Sequence, residues 1–178
     1  MNIAIKRPRV TTYELSFDRE DEYHWRCMWA RVSFDHEHYT MTAVSDCGDY
    51  AYSWCPTPEH ESFIQLMKRV DKSYLLSKIS SRSVFLLKES RKTTIENLKL
   101  YFDDDDPEVL EDMINDINDI DESSSEEMWF RSVSDVVGSY LDWESIGMEH
   151  EYPAGAQTFV EIFEKYIQPN LVEEGAEP

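Results

Sequence analysis

Residues 39–54 read Tyr-Thr-Met-Thr-Ala-Val-Ser-Asp-Cys-Gly-Asp-Tyr-Ala-Tyr-Ser-Trp, and this stretch decides the first half of the fold. Its two ends, residues 39–44 and 50–54, alternate in the manner of β-strands. The cluster Asp46-Cys47-Gly48-Asp49 between them is turn-like, because Asp favours turns and Gly48 is free to adopt a positive φ. The pattern predicts two antiparallel strands joined by a short turn.

Two more strand-like segments precede this hairpin. Residues 11–18 alternate, with Tyr13, Leu15 and Phe17 on one face, and residues 24–34 form a second, aromatic-rich stretch. The spacing of all four segments predicts a four-stranded antiparallel meander.

The period of the apolar residues changes after the fourth strand. Thr57-Pro58-Glu59 supplies a cap, a proline for the first helical position and an acidic first turn, so we expect a helix to begin there. Helical spacing recurs over residues 74–79 and 93–102, whereas residues 83–87 fit either a strand or an irregular segment. The stripe of the first helix consists of Phe63, Leu66, Met67 and Val70.

The second half of the chain is helical by pattern. Asp106 and Pro107 supply the N-cap and first position of one helix, and Ser123 with Glu126 forms a capping-box signature for the next. A last helix is expected from about Ala156. Apolar stripes at helical spacing comprise Val109, Leu110, Met113, Ile114, Ile117 and Ile120, and then Trp129, Phe130, Val133, Val136, Val137, Tyr140 and Leu141.

These patterns predict an α+β fold with an N-terminal antiparallel β-sheet of about four strands and a helical C-terminal lobe. We expect the sheet and its packed helices in residues 1–102 and an acidic helical lobe in residues 103–178, the two forming one compact unit.

The negative charge is confined to the second half. Residues 1–100 contain 15 basic and 14 acidic side chains, whereas residues 101–178 contain two basic and 23 acidic ones, and the whole chain carries −20. Residues 103–127 hold 13 acidic residues and no basic one. Such a block repels itself, nucleic acid and anionic membranes alike. We therefore expect a basic protein partner, with no direct nucleic-acid contact and no membrane contact.

The remaining composition indicates an intracellular protein. Cys27, Cys47 and Cys55 are odd in number and lack CxxC spacing, so a disulfide framework is not expected. No apolar run approaches the roughly 18 residues of a membrane span, and no secretory-signal pattern follows the basic residues near the start.

A further indication comes from a resemblance over roughly residues 11–100. The segment Ser45-Asp46-Cys47-Gly48-Asp49-Tyr50-Ala51-Tyr52-Ser53-Trp54, followed by Phe63 and then by Tyr74-Leu75-Leu76-Ser77-Lys78-Ile79, resembles a family of small bacteriophage proteins. The resemblance implies a phage or prophage origin and a location in the host cytoplasm. Among phage proteins, a compact acidic chain without a catalytic signature favours an inhibitor of host defence, of the anti-CRISPR or anti-restriction type.

The acidic helix is the main candidate for a binding surface. Residues 108–121 contain six acids over 14 residues, or about 21 Å of helix, which is about one charge per 3.5 Å. One strand of duplex DNA carries a phosphate about every 3.4 Å, so such a row can compete for a basic groove. An ordinary solvated helix face is the alternative. The candidate partner-binding residues are Asp103, Asp104, Asp105, Asp106, Glu108, Glu111, Asp112, Asp116, Asp119, Glu126 and Glu127.

Metal and catalytic chemistry have weaker support. The Asp-rich stretches lack the Gly and Glu positions of an EF-hand loop, and His36 and His38 lack a second ligand pair at zinc spacing. No nucleophile elbow, phosphate loop or zincin motif is present. We therefore expect no metal, no cofactor and no enzymatic activity.

The aromatic residues of the sheet provide an alternative binding surface. The aromatic residues belong to a core face under the first helix, to an exposed patch for a protein partner, or to a base-stacking platform, against which the acidic second half argues; they are Trp25, Trp29, Tyr39, Tyr50, Tyr52 and Trp54. In the second case the protein is a non-catalytic interaction or scaffold module, and its acids serve solubility. The basic residues between Arg82 and Lys99 are expected to face the acidic helices.

Overall fold

The computed structural model describes residues 9–56, 61–102, 106–138 and 140–172, and it divides the chain into two compact units. The sheet unit comprises Met1–Ser81 with Tyr152–Pro178, and the helical unit comprises Arg82–Glu151. This division differs from the expected boundary after residue 102. The helix that ends at Phe102 shares a buried core with the acidic helices, and the last helix shares one with the sheet.

The sheet unit is built on four antiparallel strands in sequence order, which confirms the predicted α+β class. They are β1 Val10–Ser16, β2 Trp29–Asp35, β3 Thr40–Ser45 and β4 Tyr50–Ser53. Val32 of β2 lies opposite Tyr13 of β1 on one side and Ala43 of β3 on the other. The turn after β3 has the expected positive φ at Gly48, at 134°.

The strand predicted from residue 24 begins five residues later, at Trp29. The preceding segment folds into turns, in which the backbone N–H groups of Arg26 and Cys27 both donate to the Tyr23 carbonyl at 2.8 Å. The Asp46 carboxylate then accepts from the N–H groups of Met28, at 2.9 Å, and Trp29, at 3.3 Å. These bonds replace the strand ladder that alternation alone would predict.

One face of the sheet is covered by helices. Val32, Phe34, Met41 and Ala43 are buried in a core completed by α1 Phe63–Arg69, α2 Lys72–Ile79 and α6 Ala154–Ile162. The chain continues from α6 through a π-helical turn, Phe163–Ile167, and a 3-10 turn, Gln168–Asn170. The predicted helix start at residues 57–59 lies outside the described residues, and α1 is capped by Ser62 and Gln65 in a reciprocal capping box.

The helical unit packs three helices with a two-stranded ribbon. Its helices are α3 Leu87–Phe102, α4 Pro107–Asp119 and α5 Glu126–Val137, and β5 Val84–Phe85 pairs with β6 His150–Glu151. Leu98, Ile117, Trp129 and Val133 are fully buried between the helices. The ambiguous segment at residues 83–87 is therefore a short strand that runs into α3.

Two helix caps differ from their predictions. Asp106 occupies the N-cap of α4, but its left-handed backbone, with φ of 53°, leaves the side chain without a capping hydrogen bond. The N-cap of α5 is Ser125 rather than Ser123, and its hydroxyl accepts from the Met128 N–H at 3.3 Å. Ser123 instead donates to Asp121 in the turn before the helix.

Buried polar side chains of α3 hold the segment that returns to β6. The Thr94 hydroxyl accepts from the Gly147 N–H at 2.9 Å, and the Ser90 hydroxyl accepts from the Glu149 N–H at 2.8 Å. The Trp129 indole of α5 donates to the Gly147 carbonyl at 2.9 Å. Because Ser90, Thr94 and Trp129 are fully buried, these bonds satisfy groups that would otherwise be costly to bury.

Gly147→Ala should destabilise the helical unit. A Cβ at this position would lie 2.3 Å from the Ser90 carbonyl oxygen and 2.9 Å from the Thr93 Cβ, so the segment must move and strain its bonds. We expect a loss of about 1–3 kcal/mol in the free energy of unfolding, measured by chemical denaturation. Glu144→Ala, an exposed change in the same segment, is the control, and equal stability of the two variants would contradict this packing.

Candidate acidic binding face

Five carboxylates lie on one side of α4. Successive helical residues are rotated by about 100°, which places all five within an arc of about 140° centred opposite Ile117. Ile117 is fully buried, whereas all five acids are exposed. We call this surface the acidic face; it consists of Glu108, Glu111, Asp112, Asp116 and Asp119.

The acidic face contains like charges at the spacings that bring helical side chains together. Glu108 lies three residues before Glu111 and four before Asp112, and Asp116 lies four after Asp112 and three before Asp119. Each such pair disfavours an isolated helix by about 0.2–0.5 kcal/mol. The arrangement therefore costs stability, which the buried opposite side of α4 offsets.

The basic residues of α3 do not neutralise the acidic face. Arg91 donates to the Ile120 carbonyl at 2.6 Å, at the C-terminal end of α4, where a positive charge is favoured by the helix dipole. Lys92 pairs with Glu96 on its own helix at 3.8 Å. Within the described residues, no salt bridge joins a Lys or Arg to the acidic face. The basic stretch does border α4, since Lys88, Lys92 and Lys99 line a groove with Asn118, but its hydrogen bond to that helix end comes from Arg91.

Glu126 and Glu127 extend the acidic surface at the start of α5. Both are exposed, and Glu126 Oε1 lies 3.2 Å from His150 Nε2. They border a shallow groove of about 470 Å³ that Ser125, Phe130 and Met148 also line. A groove lined by both apolar and acidic side chains suits a long cationic side chain, which buries its stem and keeps its charge paired. Phe130 was expected only in an apolar stripe, and Met148 carried no sequence signal for this role.

One of the six acids counted in the sequence lies in the turn between α4 and α5 and not in α4 itself. Asp121, counted with the helical acids in the sequence, lies beyond the helix end at Asp119. Its carboxylate accepts from the Ser123 hydroxyl at 2.6 Å and the Ser123 N–H at 2.7 Å, and these bonds lower the pKa of Asp121. The helix itself carries five acids over 12 residues, about 18 Å, or about one charge per 3.6 Å.

The other predicted binding residues lie at the start of α4. Asp106 is exposed at the N-cap, adjoining the acidic face. Asp103, Asp104 and Asp105 lie outside the described residues.

The aromatic residues of the sheet unit fall into two groups. Trp54 is buried in the core with Tyr39 and cannot serve as an exposed contact. Trp25 is 82% exposed and Trp29 is 42% exposed, beside Met28 at 50%. We call these three residues the tryptophan patch.

Other candidate sites have little support in the geometry. His36 Nε2 lies 2.8 Å from the Thr11 hydroxyl and His38 Nδ1 lies 2.7 Å from Asp35, so the two imidazoles have separate partners. Across the described ranges, no group of three or more His, Cys, Asp or Glu is arranged to hold a metal ion. Within those same ranges, no helix combines the length and apolarity needed to cross a bilayer.

The fold and this surface define a small α+β protein whose helical unit presents an exposed, unneutralised row of carboxylates. A family model described as a phage family, Phage_phiTE_072, matches residues 4–173, and the chain belongs to this phage protein family. No curated protein and no solved structure matches the chain.

Asp112→Lys should stabilise the protein in dilute buffer. The change removes two like-charge contacts, with Glu108 and Asp116, and creates an attractive i,i+4 pair with each. We expect the free energy of unfolding to rise by about 1–2 kcal/mol at low salt, from two repulsive pairs removed and two attractive pairs gained, and the gain to shrink as NaCl screens the charges.

Glu144→Lys is the matched control, because it makes the same charge change outside the helical row. If both variants gain equally, or if the gain persists at high salt, the acidic face is not a source of local repulsion.

Proposed function

We propose that this phage protein is a non-catalytic inhibitor that binds the basic nucleic-acid-binding surface of a host defence protein in the host cytoplasm. The target class is a CRISPR effector or a restriction-type nuclease. The observation that carries the proposal is the acidic face, where five exposed carboxylates share one side of α4 without a cationic partner among the described residues.

The spacing of these carboxylates supports nucleic-acid mimicry. Five acids over about 18 Å give about one charge per 3.6 Å, close to the roughly 3.4 Å between phosphates along one DNA strand. A groove that is lined with Lys and Arg for a phosphate backbone meets a similar density of negative charge on α4. The acids are carried on a formed helix, so binding has to order their side chains but does not have to fold the backbone.

Charge is concentrated in the unit that carries the acidic face. The helical unit, residues 82–151, holds 20 acidic and six basic side chains, a balance of −14 out of −20 for the whole chain. A field of this sign steers a basic partner and repels competing nucleic acid. A face kept acidic for solubility alone has no need of four like-charge pairs at contact spacing, because mixed charges also solubilise a helix.

The test is a panel of purified defence nucleases assayed for DNA binding with and without this protein. The variant neutralises the acidic face through Glu108→Gln, Glu111→Gln, Asp112→Asn, Asp116→Asn and Asp119→Asn. We expect wild type to displace DNA from at least one nuclease and the variant to bind that nuclease at least about 100-fold more weakly, because interfacial charge pairs each contribute on the order of 1 kcal/mol or more. Wild-type affinity should also fall steeply between 50 and 300 mM NaCl, as in phosphate recognition.

The matched control neutralises five exposed acids elsewhere, at Glu20, Glu37, Asp135, Glu144 and Glu164. It has the same net charge as the test variant, so net charge alone predicts equal losses. Equal losses, or wild-type binding that does not respond to salt, would refute recognition by the acidic face.

The tryptophan patch supports a second candidate function, a protein-interaction module that uses the sheet unit. Exposed Trp side chains are over-represented among residues that dominate interface energies, and Trp25 is 82% exposed without a core role. For this function, Trp25→Ala with Trp29→Ala should abolish partner binding while neutralisation of the acidic face leaves it intact, as measured by calorimetry. The opposite result assigns binding to α4.

A further inference from the structure

Two cysteines from separate parts of the sheet unit meet beside the β3–β4 turn. Cys27 ends the turn segment before β2, and Cys47 lies in the turn that follows β3. Ala30 pairs with Ser45. When the same antiparallel register is continued past these two residues, the segment before β2 lies alongside the turn after β3. Cys27 is 1% exposed within a small core cluster, and Cys47 packs against the same cluster while remaining partly accessible.

The two thiols share one environment. The Cys27 thiol donates to the Trp29 carbonyl at 3.4 Å, and Cys47 packs against the cluster that encloses Cys27. The neighbouring Cys47 and burial both raise the pKa of Cys27, which keeps it a thiol. The neighbouring Cys27 thiol lowers the pKa of Cys47, so negative charge is favoured on the more accessible sulfur.

Ser45 provides a second, adjustable contact to Cys47. Its hydroxyl lies 2.6 Å from the Gly48 carbonyl and 3.2 Å from the Cys47 sulfur, and it has one proton for the two. With Cys47 protonated, the short bond to Gly48 uses that proton; with Cys47 ionised, the hydroxyl can turn to the sulfur. The Asp46 carboxylate nearby is occupied by the N–H groups of Met28 and Trp29 and opposes further negative charge on Cys47.

We propose that Cys27 and Cys47 form an oxidisable dithiol, with Cys47 the attacking and Cys27 the resolving sulfur, which closes to a disulfide on reaction with hydrogen peroxide. An S–S bond of about 2.05 Å requires the two sulfurs to move into contact, a movement that the turn holding Cys47 can supply. The site is independent of the acidic face, since it lies in the sheet unit.

The reaction balances with peroxide as the oxidant. The Cys47 thiolate attacks one peroxide oxygen, the O–O bond breaks, and the departing hydroxide takes a proton to leave as water, giving a sulfenic acid. The Cys27 sulfur then attacks the Cys47 sulfur, its proton leaves with the sulfenic hydroxyl as a second water, and the S–S bond forms. Two thiols are oxidised by two electrons, and one peroxide is reduced to two waters.

Cys55 gives an internal control. Cys55 follows β4 in the sequence and is exposed. It lies outside the cluster that holds Cys27 and Cys47. Its accessibility favours oxidation if exposure alone governs reactivity, whereas the proposal requires oxidation at the less exposed pair.

The experiment treats the full chain with about one equivalent of hydrogen peroxide and maps its peptides by mass spectrometry without reduction. Wild type and Cys55→Ser should each lose about 2 Da, the mass of the two hydrogens removed when a disulfide forms, with a Cys27–Cys47 linked peptide. Cys27→Ser and Cys27→Ala should stop at a dimedone-reactive sulfenic acid on Cys47. Cys47→Ser should show no loss at this dose.

Circular dichroism before oxidation establishes that each variant is folded. Cys27→Ala is included beside Cys27→Ser because a serine hydroxyl in the core could itself disturb the fold. A wild-type product linked through Cys55, or no mass loss in folded wild type, would overturn the proposal. Sulfenic acid on Cys27 in folded Cys47→Ser, formed as fast as in wild type, would overturn the assignment of the attacking sulfur.

Discussion

Repulsion among the carboxylates of α4 is the constraint around which the helical unit is arranged. Glu108, Asp112 and Asp116 follow one another at four-residue spacing, with no cation of the described chain between them. The helix is held because its opposite side buries Ile117 against Leu98 and Trp129. Fully burying one large apolar side chain contributes about 1.5–3 kcal/mol, so several such side chains exceed the cost of a few exposed like-charge pairs at about 0.2–0.5 kcal/mol each.

The same constraint assigns a role to α3. Its buried hydroxyls hold the segment around Gly147, its Arg91 supplies the positive charge that the C-terminal end of α4 lacks, and Leu98 completes the core. None of these contacts reduces the charge on the exposed side of α4. The unit thus stabilises the helix while leaving its carboxylates available, which is the property that the proposed function requires.

The sequence predicted the features that depend on local pattern. Alternation located all four strands. The apolar stripe predicted for α4 was right for Leu110, Met113, Ile117 and Ile120, which pack in the core, whereas Val109 is exposed. The turns at residues 24–28 escaped prediction because Asp46, distant in sequence, captures the N–H groups that mark the strand start. The sequence also did not predict the division into units. That division depends on α3 joining the core of the acidic helices through Leu98 and on α6 joining the core of the sheet through Phe159.

The candidate site was predictable in composition but not in arrangement. A row of acids is visible in the sequence, whereas their common orientation, the departure of Asp121 from the helix and the groove beside Phe130 all require coordinates. The packing of Cys27 and Cys47 in one cluster likewise depends on strand register, which cysteine spacing alone does not reveal.

The most direct test of the acidic face as a binding surface is an NMR titration of the labelled protein with an arginine-rich peptide, read as amide shift changes at each residue. We expect the changes to concentrate on residues 108–119 and the first turn of α5. Changes centred on Trp25 and Trp29, or spread evenly over all exposed acids, would contradict binding by the acidic face.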